Sequence, residues 1–521
     1  MKQLIIISIL SCLASFVSAQ EAPSLELIVK YPSGQTVTHN HMPGLKSFQT
    51  LSVSQNIELL AFSNRKDLQQ VAKNLEAAGA ITEPNQRVDF RLEPNDEFYP
   101  QQNNLDRIGF PELWDEFRGG QTDAGKDIVI AILDSGFDFR HEDIEGNLWQ
   151  NEAEIPFDNI DNDNNGYIDD IFGWNFVGDR PNPSSDTHGS SVTGILGASG
   201  DNGIGVSGTN WNSQLMLFQI EMVADIIEAY DYIIEQRRLY NETNGSEGAF
   251  VVATNASFGL EGQACSSFPL WADQYDRLGE VGILTAASTA NRDWDVDDFG
   301  DMPTTCTTEF LITVANSDST GSLFRSSAWG LESIDLAAPG QGSFTTLPID
   351  RYGGFGSTSA AAPYVTGTIA LLYGHPCERF QRLVTEDPKA AALMVREAVI
   401  GSVEPVPGLA ALIASGGELA PWAAWQRMEL ICDTRSEDGV VIFDVGPNPV
   451  FDNTSISFDT PGSGPYFVRL YDSVGRKIYE DRVTSRPPAK VDINMSGLPV
   501  GVYRVGVFDG NRVEWTSLLK M

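Results

Sequence analysis

Between residues 94 and 432, short apolar runs alternate with segments of helical spacing, and this alternation limits the fold more than any other feature of the chain. DIVIAIL, LMLFQI, FVVATNAS, GILTAAS and FLITVA have the length and composition of buried strands, whereas MVADIIEAYDYIIEQRRLY repeats its apolar residues with the period of a helix. A strand followed by a helix, repeated, predicts an α/β block built on a mostly parallel sheet with helices on both faces. Such sheets place their chemistry at the carboxyl ends of the strands. The flanks read differently. Residues 24–85 predict a small α+β unit, with strands in SLELIVKY and IELLAFS and a helix in DLQQVAKNLEAAGAI. Residues 440–521 carry ISF, YFVRLYD, KIYEDRV and VYRVGVFDG between Pro, Gly and Asp-Gly turns, which predicts a small β-sandwich.

Charge and leader narrow the setting. The 34 basic and 71 acidic residues leave a net charge of −37, a field that repels phosphate polymers and anionic lipid, so nucleic acid is not an expected partner. The first segment, MKQLIIISILSCLASFVSAQ, has the early Lys2, the apolar centre and the small-residue Val17-Ser18-Ala19 end of a signal peptide spanning 1–19. An alternative reading of Ile9-Leu10-Ser11-Cys12 as a lipid-attachment box leaves a very short apolar segment. No later stretch has the length of a transmembrane helix. Removal of the leader takes Cys12 with it and leaves Cys265, Cys306, Cys377 and Cys432. An even number in an exported chain predicts two disulfides with three possible pairings, against the alternative of free buried thiols; the pairing of sequence neighbours, 265 with 306 and 377 with 432, is the expectation adopted.

Three stretches of the middle block carry the candidate chemistry. VIAILDSGFDF ends a buried strand in Asp134, THGSSVTG sets His188 at a helix start among small residues, and GSTSAAAP heads a small-residue helix with Ser359 beside unpaired backbone N–H groups. Taken singly, these are a turn aspartate, an ordinary histidine and a helix cap. Asp, His and Ser in that chain order, each in a glycine-rich setting, make one of the orders in which a nucleophile, its base and an orienting carboxylate occur.

Through LDSGFDFRHEDI, THGSSVTG and GSTSAAAP, the middle block resembles the subtilisin family of serine proteases. The resemblance implies Ser359 as nucleophile, His188 as general base and acid, and Asp134 as the group that orients the imidazole. It implies Asn291, in GILTAASTAN, as an oxyanion donor, and a substrate-pairing strand at 255–259 whose Ser257, Phe258 and Gly259 line the binding site with Ala290. Three positions depart from the family pattern: Ser191 replaces its second histidine, Ala290 a glycine, and Ala360 a methionine. The resemblance further implies an inhibitory prodomain at 20–93, a peptidase domain at 94–435 and cleavage somewhere in 84–100. Peptides and proteins are then the substrates. GPNPVFDNTSISF, YDSVGRKIYEDRV and INMSGLPVGVYRV resemble the sorting domain read by type IX secretion machinery, expected over 440–521; a carbohydrate-binding or adhesive sandwich is the alternative. The alternative for the whole protein is an inactive surface protein or adhesin that binds polypeptides through the same groove.

Two loops suggest structural calcium, and no organic cofactor is expected. DNIDNDNNGYIDD sets Asp161, Asp163 and Asn165 at alternate positions, then Gly166 and Asp169, a pattern suited to a hard cation, although a solvated turn has the same composition. By likeness to the family's calcium loop, DNGIGVSG implies Asn202 and the carbonyls of Ile204 and Val206 as ligands, together with Asp143 and Asp96.

Overall fold

The computed structural model describes residues 25–32, 39–85, 93–433, 441–446, 450–459, 466–471, 476–483, 489–499, 501–508 and 513–520. The leader, Cys12, the turn at 447–449 and residues 86–92 of the expected cleavage segment lie outside them. The chain divides into two compact units, residues 1–90 and 91–521.

In the first unit, β1 (Glu26–Lys30), β2 (Leu45–Ser52), β3 (Ile57–Phe62) and β4 (Ile81–Pro84) form an antiparallel sheet in the order β2-β3-β1-β4. The helix α1 (Arg65–Ala77) starts where the Asn64 side chain accepts the Asp67 N–H, the usual role of a short polar side chain at a helix start. Leu27, Val29, Leu60, Phe62 and Val71 make its small core.

The second unit is organised by β5 (Val129–Asp134), β6 (Gly173–Asn175), β7 (Gln214–Gln219), β8 (Val251–Ala256), β10 (Leu284–Ser288), β12 (Leu311–Asn316) and β13 (Leu336–Ala338). These seven pair in parallel in the order β13-β12-β10-β8-β5-β7-β6, with short additions at the β13 edge. Two shorter strands, β9 (Leu260–Glu261) and β11 (Asp301–Met302), form a separate antiparallel pair.

Alternation along each strand sends its side chains to two cores. Ile130, Ile132, Leu215 and Leu217 pack into one, while Val129, Ala131, Leu133, Met216 and Phe218 pack into the other. Helices α2 (Thr187–Gly197) and α5 (Thr358–Tyr373) cover the first face; α3 (Val223–Thr243) and α4 (Pro269–Glu280) cover the second. Every residue of α5 is buried, which requires small side chains along it. A Cβ on Gly367 would lie 2.0 Å from Thr209 Oγ1, so glycine sets how deeply α5 lies.

The last region of the unit contains two antiparallel sheets, one of three strands and one of four. Tyr466–Tyr471 and Ala489–Asn494 bury alternate residues, and Val468, Leu470, Ile456, Ile493, Val505 and Leu518 share one core. This is the sandwich arrangement expected from the turn spacing. Among the described residues no helix is long and apolar enough to cross a membrane.

Disulfides join Cys265 to Cys306 and Cys377 to Cys432, with Cα–Cα distances of 5.1 and 5.9 Å and sequence separations of 41 and 55. Closing a 55-residue loop in the unfolded chain stabilises by about 4 kcal/mol in the loop-entropy treatment. Replacing both Cys377 and Cys432 by Ser therefore lowers the denaturant midpoint and the melting temperature of the oxidised protein, read by circular dichroism; an unchanged midpoint would show that the bridge constrains nothing.

Candidate active site

Asp134 is the last residue of β5, an interior strand of the parallel sheet flanked by β8 and β7, and is 3% exposed. Across 54 residues of sequence, His188 Nδ1 approaches its Oδ1 to 2.7 Å. The approach depends on Gly189, where a Cβ would lie 2.1 Å from the Gly136 carbonyl oxygen and 3.0 Å from the Asp134 Cβ. Asp186 caps the first turn of α2, its Oδ1 accepting the His188 N–H at 2.8 Å and the Ser135 hydroxyl at 2.8 Å. The same Asp134 Oδ1 also accepts from the Ser135 N–H at 2.7 Å, whereas Oδ2 is buried without a partner among the described residues. Because a carboxylate only accepts, the contact fixes the proton of a neutral imidazole on Nδ1 and leaves Nε2 as the basic nitrogen.

Burial by itself would lower the His188 pKa. The hydrogen bond and charge of Asp134, with the charge of Asp186 added, outweigh it and hold the imidazole above its ordinary value.

Ser359 stands in the first turn of α5, 7% exposed. Pro363 explains part of its surroundings. A proline four residues on has no N–H to give the Ser359 carbonyl, and the Ser257 hydroxyl donates to that carbonyl instead, at 2.9 Å. The Ser359 hydroxyl is turned toward the Ser257 carbonyl oxygen at 3.4 Å, and no hydrogen bond joins it to His188. Just before α5, Ser357 has φ +69°, a conformation that strains a residue with a side chain and that accompanies functional turns.

Asn291 follows β10 and is tied to the same turn: its Oδ1 accepts the Thr358 N–H at 3.2 Å and the Thr358 hydroxyl at 2.9 Å. With the oxygen so engaged, the amide Nδ2 is the group left to donate. Ser257 is buried, Phe258 half-buried and Gly259 exposed, continuing from the end of β8. Ala290 is 5% exposed, and its N–H is held by Asp301 Oδ2 at 3.0 Å. Ser191 is buried and satisfied, donating to the carbonyls of Thr187 at 2.8 Å and Thr346 at 3.2 Å. Asp301 and Ser357 were not singled out in the sequence. The φ of Ser357 left no signal there, whereas Asp301 could have been flagged as an acid set ten residues beyond Asn291.

The acidic loop gathers a set that differs in part from the sequence expectation. One oxygen each from Glu154, Asp161 and Asp163 lie within 4.8 Å of one another, a spacing that suits a hard cation. Glu154 was missed because it lies seven residues before the alternating run. Its oxygens accept the N–H groups of Asn162, Asp163 and Asp169, which folds the loop around it. Asp169 lies outside this group, its carboxylate capping the N–H groups of Asp158 and Asn159. Asn165 likewise turns its Oδ1 onto the Tyr167 N–H and its amide nitrogen onto Asp163 and Asp170.

At the second loop, Asp143 is fully buried and Asp96 is 3% exposed, and neither has an ion pair among the described residues. Asp143 accepts the Asn202 amide at 3.0 Å and the Val206 N–H at 2.9 Å, while the Asn202 oxygen accepts the Ile204 N–H at 2.7 Å. Burial chiefly, with the nearby Asp96 and Glu142 charges adding, pushes the Asp143 carboxyl up to about 7 despite those hydrogen bonds. An uncompensated buried acid of this kind suits a bound cation, so these residues fit calcium.

Residues 125–404 match the Subtilase family model, and residues 444–520 match a secretion system C-terminal sorting domain. The Subtilisin-like protease 1 of Plasmodium falciparum is 30% identical over 305 residues, covering 54% of this chain and 41% of that protein. The Major intracellular serine protease of Bacillus subtilis is 27% identical over 289 residues, covering 56% of this chain and 80% of that protein. The chain thus spans well under half the length of the first of these relatives. A solved structure described as proteases from Pseudoalteromonas arctica superposes with a TM-score of 0.47 at 20% identity, covering 65% of this chain and 100% of that one. With the family match extending over more than half of its 521 residues, the chain belongs to the subtilase family.

Proposed function

We propose that the protein is a secreted serine endopeptidase that cleaves peptide bonds through an acyl-enzyme. The observation that carries this reading is the 2.7 Å contact between His188 Nδ1 and buried Asp134 Oδ1, beside a helix with Ser359 in its first turn. Asp134 holds the imidazole with its Nδ1 proton inward. In the reaction the Ser359 hydroxyl leaves the Ser257 carbonyl and gives its proton to His188 Nε2 as Oγ attacks the substrate carbonyl. Asn291 Nδ2 and the Ser359 N–H receive the negative charge that develops on the carbonyl oxygen. His188 then returns its proton to the departing amine, and a water, deprotonated in turn by His188, hydrolyses the ester. The half-buried strand end at 257–259 pairs with the substrate backbone.

The flanks fit the same reading. Residues 20–93 act as the inhibitory prodomain, 94–435 as the peptidase, and 440–521 as the sorting domain that directs export by type IX secretion. Calcium, held by Glu154, Asp161 and Asp163 and by Asp143 with Asn202 and its neighbouring carbonyls, would supply positive charge that lets these carboxylates remain ionised while buried.

Three measurements test the proposal. A fluorophosphonate labels the mature enzyme and fails to label Ser359→Ala, while Asn291→Ala keeps the label but loses roughly 10²–10³-fold in kcat. Labelling of Ser359→Ala equal to the parent, or a parent that neither labels nor hydrolyses casein, would favour an inactive polypeptide-binding protein. Because His188 must be neutral to accept a proton and its pKa is held up, kcat/KM rises with pH along an acid limb centred above 6.5. Asp134→Asn, which removes the larger of the charges that hold the pKa up, lowers kcat and moves that limb to lower pH; an acid limb that His188→Ala leaves in place would exclude His188 as the base. Removing divalent ions with EDTA lowers the melting temperature and calcium restores it, with bound calcium found by elemental analysis of the untreated protein. A melting curve indifferent to EDTA would eliminate both cation sites.

A further inference from the structure

Three segments converge beside Asn291: the substrate strand through 257–259, the turn at 288–291, and the short strand β11. Gly259 runs directly into β9, and its backbone lies so close to β11 that a Cβ there would sit 2.5 Å from the Met302 carbonyl oxygen. In the β9–β11 pair, Asp301 stands directly opposite Glu261. Residues opposite each other in an antiparallel pair project to the same face, and like charges in that relation repel.

The two carboxylates grip the intervening turn from either side. Asp301 Oδ2 accepts the Ala290 N–H at 3.0 Å, the Thr289 hydroxyl at 3.2 Å and the Thr304 hydroxyl at 2.6 Å. Glu261 accepts the Asn291 N–H at 3.3 Å and Arg292 Nε at 2.8 Å. Asp301 is 2% exposed, and among the described residues the hydrogen bonds its carboxylate accepts all go to Oδ2. Burial first, with the charge of Glu261 adding, pushes its carboxyl up to about 6. The protein's own nearby cation, Arg292, is already committed to Glu261 and 60% exposed.

A buried carboxylate with an unclaimed oxygen, set against a second carboxylate, is poorly suited to receive an apolar group, which would leave both acids without compensation. It is well suited to a long side chain that ends in a cation. We infer that Asp301, with Glu261 at the rim, is a specificity-determining residue that selects lysine or arginine in the substrate residue preceding the scissile bond. An arginine side chain passing between 257–259 and 288–291 delivers its guanidinium to Asp301 Oδ1, where charge-assisted hydrogen bonds offset the desolvation of both groups. Substrates with an apolar residue at this position gain no such compensation. The inference rests on the proteolytic reading above and names its substrate class.

The test uses the mature secreted enzyme and four peptides that differ only in the residue before the cleaved bond: arginine, lysine, glutamine and norleucine. The expected result is a kcat/KM at least tenfold higher for arginine and lysine than for the two uncharged residues, carried mainly by KM. Asp301→Asn reduces the arginine-to-norleucine ratio at least tenfold, and Glu261→Gln reduces it by a smaller factor. A peptide aldehyde ending in arginine inhibits more strongly than one ending in norleucine, and this order is lost in Asp301→Asn. Equal rates on all four peptides by an enzyme that labels with fluorophosphonate would overturn the specificity alone, as would an Asp301→Asn variant whose arginine and norleucine rates fall together. Absence of both labelling and cleavage in the parent would instead overturn the proteolytic reading, and the specificity with it. Should Asp301→Asn fail to fold, the parent's preference and the Glu261→Gln ratio still decide.

Discussion

A buried carboxylate at the end of an interior strand, β5, is the constraint around which the second unit is arranged. Asp134 is almost fully enclosed, and an enclosed carboxylate is costly unless donors or an opposite charge answer it. Two donors from Ser135 and the imidazole of His188 all meet one oxygen, leaving the other unanswered. The arrangement therefore favours a positive imidazole over a neutral one, and it exists only because α2 can come down onto the strand end. Gly189 permits that approach, and the parallel pairing of β5 with β7 and β8 fixes the strand end it approaches.

The Ser359 helix solves a different problem. A helix buried on every side has no polar face, and its first turn leaves backbone groups without helical partners. The run of alanines removes bulk, and Pro363 removes the N–H that the Ser359 carbonyl would otherwise accept. That carbonyl is answered from outside the helix by Ser257, and the N–H of Thr358 by Asn291. The turn that carries Ser359 is thus bound to Ser257 on one side and to Asn291 on the other. Three segments distant in sequence become one rigid turn through bonds that a standard helix start would not make.

The sequence disclosed those parts of the molecule whose cause is local. Apolar runs of strand length bounded by glycines announced the parallel sheet, because both faces of β5, β8 and β12 are buried and no polar alternation interrupts them. Asp134, His188 and Ser359 were legible because each sits in a small-residue setting that close packing demands. The neighbour pairing of cysteines followed from short separations. Glu154 was hidden because its contribution is decided by a loop that folds back onto it. Asn165 and Asp169, expected from the same run, have oxygens that accept backbone N–H groups of the loop, as do those of Glu154, Asp161 and Asp163. Asp301 was hidden because its partner Glu261 lies forty residues away across a two-residue strand pair.

The large acidic surplus acquires meaning when its buried members are separated from its exposed ones. Among the described residues most acidic side chains are at least partly exposed, where water solvates their charge. Asp143, Asp170 and Asp301 are not, and burial is the largest cause raising each of their carboxyl pKa values, to about 7, 6 and 6. Among the described residues none of the three is paired with a lysine or arginine, although such pairs occur elsewhere, as between Arg107 and Glu418. Hydrogen bonds from Asn202, from Tyr232 and Asn165, and from Thr304 and Thr289 lower each value but do not cancel the burial. A fold that enclosed acids at random would place them anywhere in its core. Here they occur beside the two acidic loops and beside the turn at 288–291, so in the proposed reading the cost of enclosing them is concentrated where a cation or a cationic substrate can offset it.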